Sequence, residues 1–188
     1  MRELTYYVGV SLDGFIAAPD GDFSAFPVEG DHMQALMHEF TDTIPAHVQR
    51  LVGLEADRSR FDTVVMGWQT YTPALREGID SPYPHLRQVI ATRQPREVPA
   101  GIELTDDPVA TVRALRREPG TGVYLAGGGA IAGALVDEID RLQLKVYPVL
   151  LGDGVPLFRG LGYRPLPFRR VSSRPFASGM VLNEYVRS

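Results

Sequence analysis

The chain has 188 residues, no cysteine and a formal net charge of −4. That length suits one domain with a sizeable core, and the missing cysteines exclude disulfides, thiolate metal sites and cysteine nucleophiles. No basic stripe interleaves with aromatics, which argues against nucleic acid. No run approaches the roughly eighteen apolar residues of a membrane span, and the apolar run in MRELTYYVGV is short for a signal peptide, so a cytoplasmic protein is expected.

Leu4–Val10, rich in tyrosine and valine, predicts a first strand. It runs into SLDGFIAAPDGDF, where the turn signals Asp13-Gly14 and Asp20-Gly21 bracket the short apolar segment Phe15-Ile16-Ala17. Asp31 is placed to cap a helix whose stripe is Met33, Leu36, Met37 and Phe40. A second helix is expected over Ala46–Leu54. Glu29 and Asp31 flank the first of these helix starts, which leaves a proton-handling role open beside plain capping.

Thr63–Met66 predicts a strand, then Gly67, then a helix capped by Thr70 or Thr72 with Pro73 at its first position. Trp68, the only tryptophan, is either a stacking surface or packing. Arg87–Thr92 is the next strand, and Arg93 beyond its end offers a fork for a phosphate. Ile102–Thr105 is short and extended. Asp107-Pro108 opens a helix with Val109, Val112 and Leu115 inward. Arg113, Arg116 and Arg117 in its last turns read as a solvated face.

The stretch VYLAGGGAIAGALVDEIDRL, Val123–Leu142, combines a strand (Val123–Ala126), the glycines Gly127, Gly128 and Gly129, and an amphipathic helix with Ile131, Leu135, Ile139 and Leu142 on one stripe. A strand passing through glycines into a helix start is a generic anion site, suited to a phosphate or pyrophosphate that side chains would otherwise keep away. A ligand-free tight turn is the plainer alternative. Leu142–Leu151 is a strand ending in a Gly-Asp-Gly turn, residues 152–167 form a long loop, and Phe168–Arg174 with Met180–Val186 close as a hairpin. Together these elements predict a three-layer α/β domain over residues 1–188, its mixed sheet mainly parallel with an antiparallel C-terminal end.

Several chemistries drop out. The histidines lack metal-site spacing, and no nucleophile elbow or Walker A pattern exists. Gly127-x-Gly129-x-x-Ala132 matches a Rossmann fingerprint formally, yet it lies late in the chain and the following strand carries Lys145 where a ribose-binding acid belongs.

The ordered set SLDGFIA (11–17), VVMGWQTY (64–71), VIATRQP (89–95), YLAGGGAIAGAL (124–135) and LLGDGVPLF (150–158) resembles the dihydrofolate-reductase-like superfamily, in particular the branch holding the reductase domain of bacterial riboflavin biosynthesis. The resemblance implies a sheet of about eight strands, NADPH as hydride donor, a small heterocyclic substrate of pterin or aminouracil type, and often a homodimer. It implies that Ala126, Gly127, Gly128, Gly129, Ala130 and Ile131 hold the pyrophosphate. Gly67, Trp68, Gln69 and Thr70 take the adenosine-side phosphates, Thr92 and Arg93 the 2′-phosphate region, and the Ile16 and Ala17 backbone the nicotinamide carboxamide. The family's G-R-x-T reads Gly67-Trp68-Gln69-Thr70 here, so Arg93 is left to replace the missing arginine. For the proton source the candidates are Asp31, Glu29 or water, with Asp13 as a turn organiser; Lys145 either faces the same cavity or is a surface lysine. A nucleotide-binding module that kept the fold without catalysis is the alternative.

Overall fold

Consecutive strand residues point to opposite faces of a sheet, and here both faces are apolar. Tyr6 and Tyr7, Val64 and Val65, Val89 and Ile90, and Val123 and Tyr124 each divide between two separate buried clusters. A sheet apolar on both sides must be covered on both, which dictates three layers.

The computed structural model describes residues 1–188. Its strands are β1 (Leu4–Val10), β2 (Phe15–Ala17), β3 (Phe61–Gly67), β4 (Arg87–Ala91), β5 (Ile102–Thr105), β6 (Gly122–Gly127), β7 (Arg141–Val146), β8 (Val155–Pro156), β9 (Phe168–Pro175) and β10 (Val181–Arg187). Its helices are α1 (Asp31–Glu39), α2 (Ala46–Val52), α3 (Trp68–Arg76), α4 (Pro108–Leu115) and α5 (Gly129–Ala134), with a 3-10 turn at Thr41–Thr43. The main sheet has eight strands in the order β5-β4-β3-β6-β1-β7-β10-β9. Strands β5 through β7 in that order run parallel, and β10 is antiparallel to both β7 and β9. The expected fold class is therefore observed. No helix is long and apolar enough to cross a membrane.

Local chemistry corrects several boundaries. Gly67 in extended conformation occupies the cap position of α3, which begins at once with Trp68. Pro73 therefore lies inside the helix, and the Thr72 hydroxyl donates back to the Trp68 carbonyl at 2.8 Å instead of capping. Asp31 is the first residue of α1 and not its cap, which is Gly30. Helix α2 stops at Val52 because Gly53 turns left-handed (φ 68°). By contrast, the Asp107 carboxylate does cap α4, accepting the Ala110 N–H at 2.9 Å.

The largest correction concerns Val123–Leu142. The four stripe residues are all buried, but α5 ends at Ala134, and Leu142 belongs to β7. Asp140 supplies the reason: its carboxylate accepts the Leu4 N–H at 2.8 Å and its own N–H donates to the Leu4 carbonyl at 3.0 Å, drawing the chain alongside β1. Arg116 pairs with Asp140 at 2.7 Å and Arg113 with Glu138 at 2.8 Å, so two of the three arginines at the C-terminal end of α4 clamp this segment, Arg116 half-buried and Arg113 exposed.

Asp42 performs the same kind of work at the start of β3. Its buried carboxylate accepts N–H bonds from Arg58 (2.8 Å), Arg60 (2.9 Å) and Phe61 (3.0 Å). Asp42→Ala would strand these donors, with an expected loss of about 3 kcal/mol or more in urea denaturation. Asp42→Asn, which keeps one acceptor oxygen, should lose less.

Candidate active site

Parallel strands bring their carboxyl ends to one edge of the sheet. There Met66 is in register with Gly127, and Gly67 with Ala91. A Cβ on Gly67 would sit 3.9 Å from the Gly127 carbonyl oxygen and the Gly128 nitrogen; one on Gly128 would sit 3.6 Å from Thr70 Oγ1 and 3.8 Å from Ile16 Cδ1. Ile16, Gly67, Thr70 and Gly127–Gly128, distant in sequence, thus share one surface. Gly127 has φ 115°, a conformation that requires glycine, and the Gly127–Gly128 peptide is cis.

The other glycines of this stretch serve packing. A Cβ on Gly129 would overlap the Pro156 carbonyl oxygen, and one on Gly133 the Arg159 carbonyl oxygen. Ile131 is a core residue, 6% exposed, which leaves only its backbone for a ligand; Ala126 is half-buried and Ala130 exposed. Ala17 pairs with Val155, so β8 braces the Ile16–Ala17 segment from the long loop. Thr92 follows β4 directly, its N–H donating to the Thr105 carbonyl at 2.9 Å, and Arg93 beyond it is exposed without an ion-pair partner. Gln69 is exposed on the first turn of α3. One residue escaped the sequence reading: the Arg96 guanidinium lies 4.8 Å from the centre of the Trp68 ring. No motif places Arg96 there; only the turn after β4 does.

The candidate acids lie elsewhere. The Asp13 carboxylate accepts from Ser11 Oγ at 2.5 Å and from the Gly152 N–H at 2.7 Å, and these bonds hold it below the usual carboxylate range. The Asp31 carboxylate accepts the N–H groups of Ala177 (2.8 Å) and Ser178 (3.1 Å), which lower its pKa and tie α1 to the β9–β10 turn. Glu29 is exposed. None of the three lines the cavity that opens between α1, α2 and the sheet.

That cavity has a volume of about 320 Å³. Its walls are mostly apolar (Met33, Leu36, Ile44 and Val48 among them), with Tyr7, Tyr124 and Tyr147 from the sheet side and the exposed ring of Phe23. Burial raises all three phenols, so they stay protonated at neutral pH. A larger open groove of about 1140 Å³ lies among charged residues at the opposite end of the strands. Four of its five arginines are paired, Arg2 with Asp62, Arg60 with Glu39, Arg116 with Asp140 and Arg141 with Glu3, and Arg117 is exposed.

Lys145 is the one charged group in the smaller cavity. It pairs in register with Gly9 on β1, and its Nζ sits 4.3 Å from the centre of the Tyr7 ring. The residue is half-buried because the cavity is open, yet the protein around the ammonium strips its water and pushes its pKa down to about 8. Of the two sequence-level alternatives for Lys145, cavity or surface, the structure selects the cavity. The charged form is disfavoured on folding, so a stability penalty is present below about pH 8 and fades as pH rises toward 10.5. Lys145→Met should therefore stabilise the protein at neutral pH by about 1–3 kcal/mol. In thermal melts the gain over wild type should shrink as pH rises through that window.

The sequence model of the RibD C-terminal domain family matches residues 2–182. The uncharacterised protein YwjB of Bacillus subtilis (strain 168) is 27% identical over 194 residues, covering 100% of this chain and 99% of YwjB. YyaP of the same organism is 27% identical over 189 residues, covering 96% and 92%. Among solved structures, a "Putative riboflavin biosynthesis protein" from Shewanella sp. PV-4 superposes with a TM-score of 0.66 at 25% identity, covering 100% of this chain and 99% of that one. The Thermotoga maritima diaminohydroxyphosphoribosylaminopyrimidine deaminase/5-amino-6-(5-phosphoribosylamino)uracil reductase gives a TM-score of 0.69 at 18% identity; this chain is covered fully and spans 57% of it, a likeness of fold alone. With the sheet order, the glycine edge and a sequence match over nearly every residue in agreement, the chain belongs to the RibD C-terminal domain family, which is reductase-like and has the dihydrofolate-reductase fold.

Proposed function

We propose that this protein is an NADPH-dependent reductase of a small heterocycle of pterin or aminouracil type. The observation that carries this reading is the convergence of Ile16, Gly67, Thr70 and Gly127–Gly128 on one sheet edge. The cradle is open to a ligand: a Cβ on Gly128 would enter ordinary contact with Thr70 and Ile16, so this glycine keeps the surface bare. NADPH supplies a hydride when bound.

The chain's own part is binding, orientation and a proton. The backbone of Gly127, Gly128 and Gly129 would take the pyrophosphate, Thr70 a neighbouring phosphate oxygen, and the Ile16–Ala17 backbone the carboxamide. The 2′-phosphate falls to Arg96, braced on Trp68, together with Arg93; both are exposed arginines free of carboxylate partners. The engagement of Asp13 and Asp31 in backbone clamps is the observation that favours a nucleotide-binding module without catalysis.

Titration with NADPH and NADH, followed through Trp68 emission, separates these readings. NADPH should bind more tightly than NADH, and failure of both to bind at millimolar concentration would remove the reductase and the module together. Arg96→Ala should weaken NADPH by about tenfold while leaving NADH unchanged; an equal effect on both would refute the assignment of Arg96. Binding without NADPH oxidation against any heterocyclic carbonyl or imine would leave the module.

A further inference from the structure

We propose that the substrate of this cavity is a neutral, flat, one- or two-ring carbonyl or imine without a phosphate, and that the Lys145 ammonium holds its heteroatom and delivers the proton. This rests on the reductase reading above and narrows it.

Size comes first. A volume of about 320 Å³ lies at the low end of small-molecule sites, which suits a compact ring system. Charge comes second. No arginine, histidine or carboxylate lines the cavity. A phosphate dianion needs a guanidinium fork, several backbone N–H groups or comparable compensation on losing its water. Lys145 alone, set among three tyrosines and a wall of Met33, Leu36 and Met37, does not provide that. Aromatic and thioether surfaces instead suit the faces of a flat ring.

The third observation is that Lys145 is unpartnered. Its ammonium rests on the Tyr7 ring without an ion pair, and no neighbouring charge offsets its desolvation. The groups packed around it from β1, β6 and the end of β7 are the phenols Tyr7, Tyr124 and Tyr147. Glu39, Arg60 and Arg174 are charges that act on the neighbouring Tyr7 phenol. A bare cation in an apolar cavity is held against its own hydration, as expected of a group kept ready for an incoming acceptor. Gly9, in register with Lys145 on β1, leaves room for the ring of Tyr147 beside it: a Cβ there would come within 3.1 Å of that ring.

The step balances. The carbon of C=O or C=N gains the hydride, the π pair moves onto the oxygen or nitrogen, and Lys145 gives that atom its proton. Lys145 then regains a proton from water, so substrate, NADPH and one proton become reduced product and NADP+.

The test compares two forms of one ring, 5-amino-6-(5-phosphoribosylamino)uracil and the same compound with its phosphate removed, alongside the neutral bicycles 6-methyl-7,8-dihydropterin and isatin. NADPH binding is measured first; if it fails, the reductase reading falls on its own. With NADPH bound, at least one bicycle should be reduced, and removing the phosphate from the aminouracil should not lower kcat/KM. A phosphorylated form better by about tenfold or more, a difference of about 1.4 kcal/mol, would overturn the proposal. Lys145→Met should leave NADPH affinity unchanged, lower kcat by about a hundredfold and weaken bicycle binding in the absence of NADPH. The wild-type kcat/KM should fall above about pH 8 and lose that fall in the variant. A variant that keeps wild-type kcat, or the same pH fall, would equally sink the role of Lys145. A melting temperature at or above wild type shows that the variant is folded.

Discussion

Six strands of the main sheet run in one direction, and that single constraint arranges most of the molecule. Parallel pairing forces each strand to return by a crossover, so all carboxyl ends meet at one edge and the turns leaving them become neighbours. Gly67, Ala91 and Gly127 are far apart in the chain but are the last residues of three adjacent strands. A nucleotide laid across that edge would touch each turn in succession. The same parallel strands carry apolar residues on both faces, so the helices must cover both, and the cavity arises where α1 and α2 stand off one face.

Carboxylates hold the loops at both ends of the parallel strands. Asp13 binds the backbone at Leu151 and Gly152, joining the first turn to the start of the long loop. Asp31 binds Ala177 and Ser178, joining α1 to the last hairpin. Asp42 gathers the start of β3, and Asp140 sets the course of β7 beside β1. In each case a carboxylate oxygen accepts from backbone N–H groups that an irregular loop would otherwise leave unpaired. None of these carboxylates lines the cavity, where Lys145 is the one charged group.

Much of this was legible in the residues. The strands of the sheet, the cap at Asp107 and the antiparallel end follow from patterns two to four residues long, which local chemistry enforces wherever they occur. The reach of α5 was not. Ile131, Leu135, Ile139 and Leu142 are buried as their spacing demands, but burial constrains which side is inward and not which backbone carries it. Likewise Thr70 and Thr72 are good caps in isolation, and the extended Gly67 pre-empted them. Asp31 looked like a cap or an acid because its partners, Ala177 and Ser178, lie 146 and 147 residues away.

The amino-acid sequence by itself determined the layered α/β class, the glycine-bearing strand ends and the family, since each rests on local periodicity or on motifs in fixed order. Only the tertiary structure decided what those motifs face. It brought Arg96 over Trp68 and turned the aspartates into clamps. It also placed Lys145, one residue in an ordinary strand pattern, over the ring of Tyr7 on the neighbouring strand. The physical reason is register: which residue of β7 stands beside Gly9 of β1 is set by pairing across more than a hundred residues of chain, and no local pattern encodes that distance.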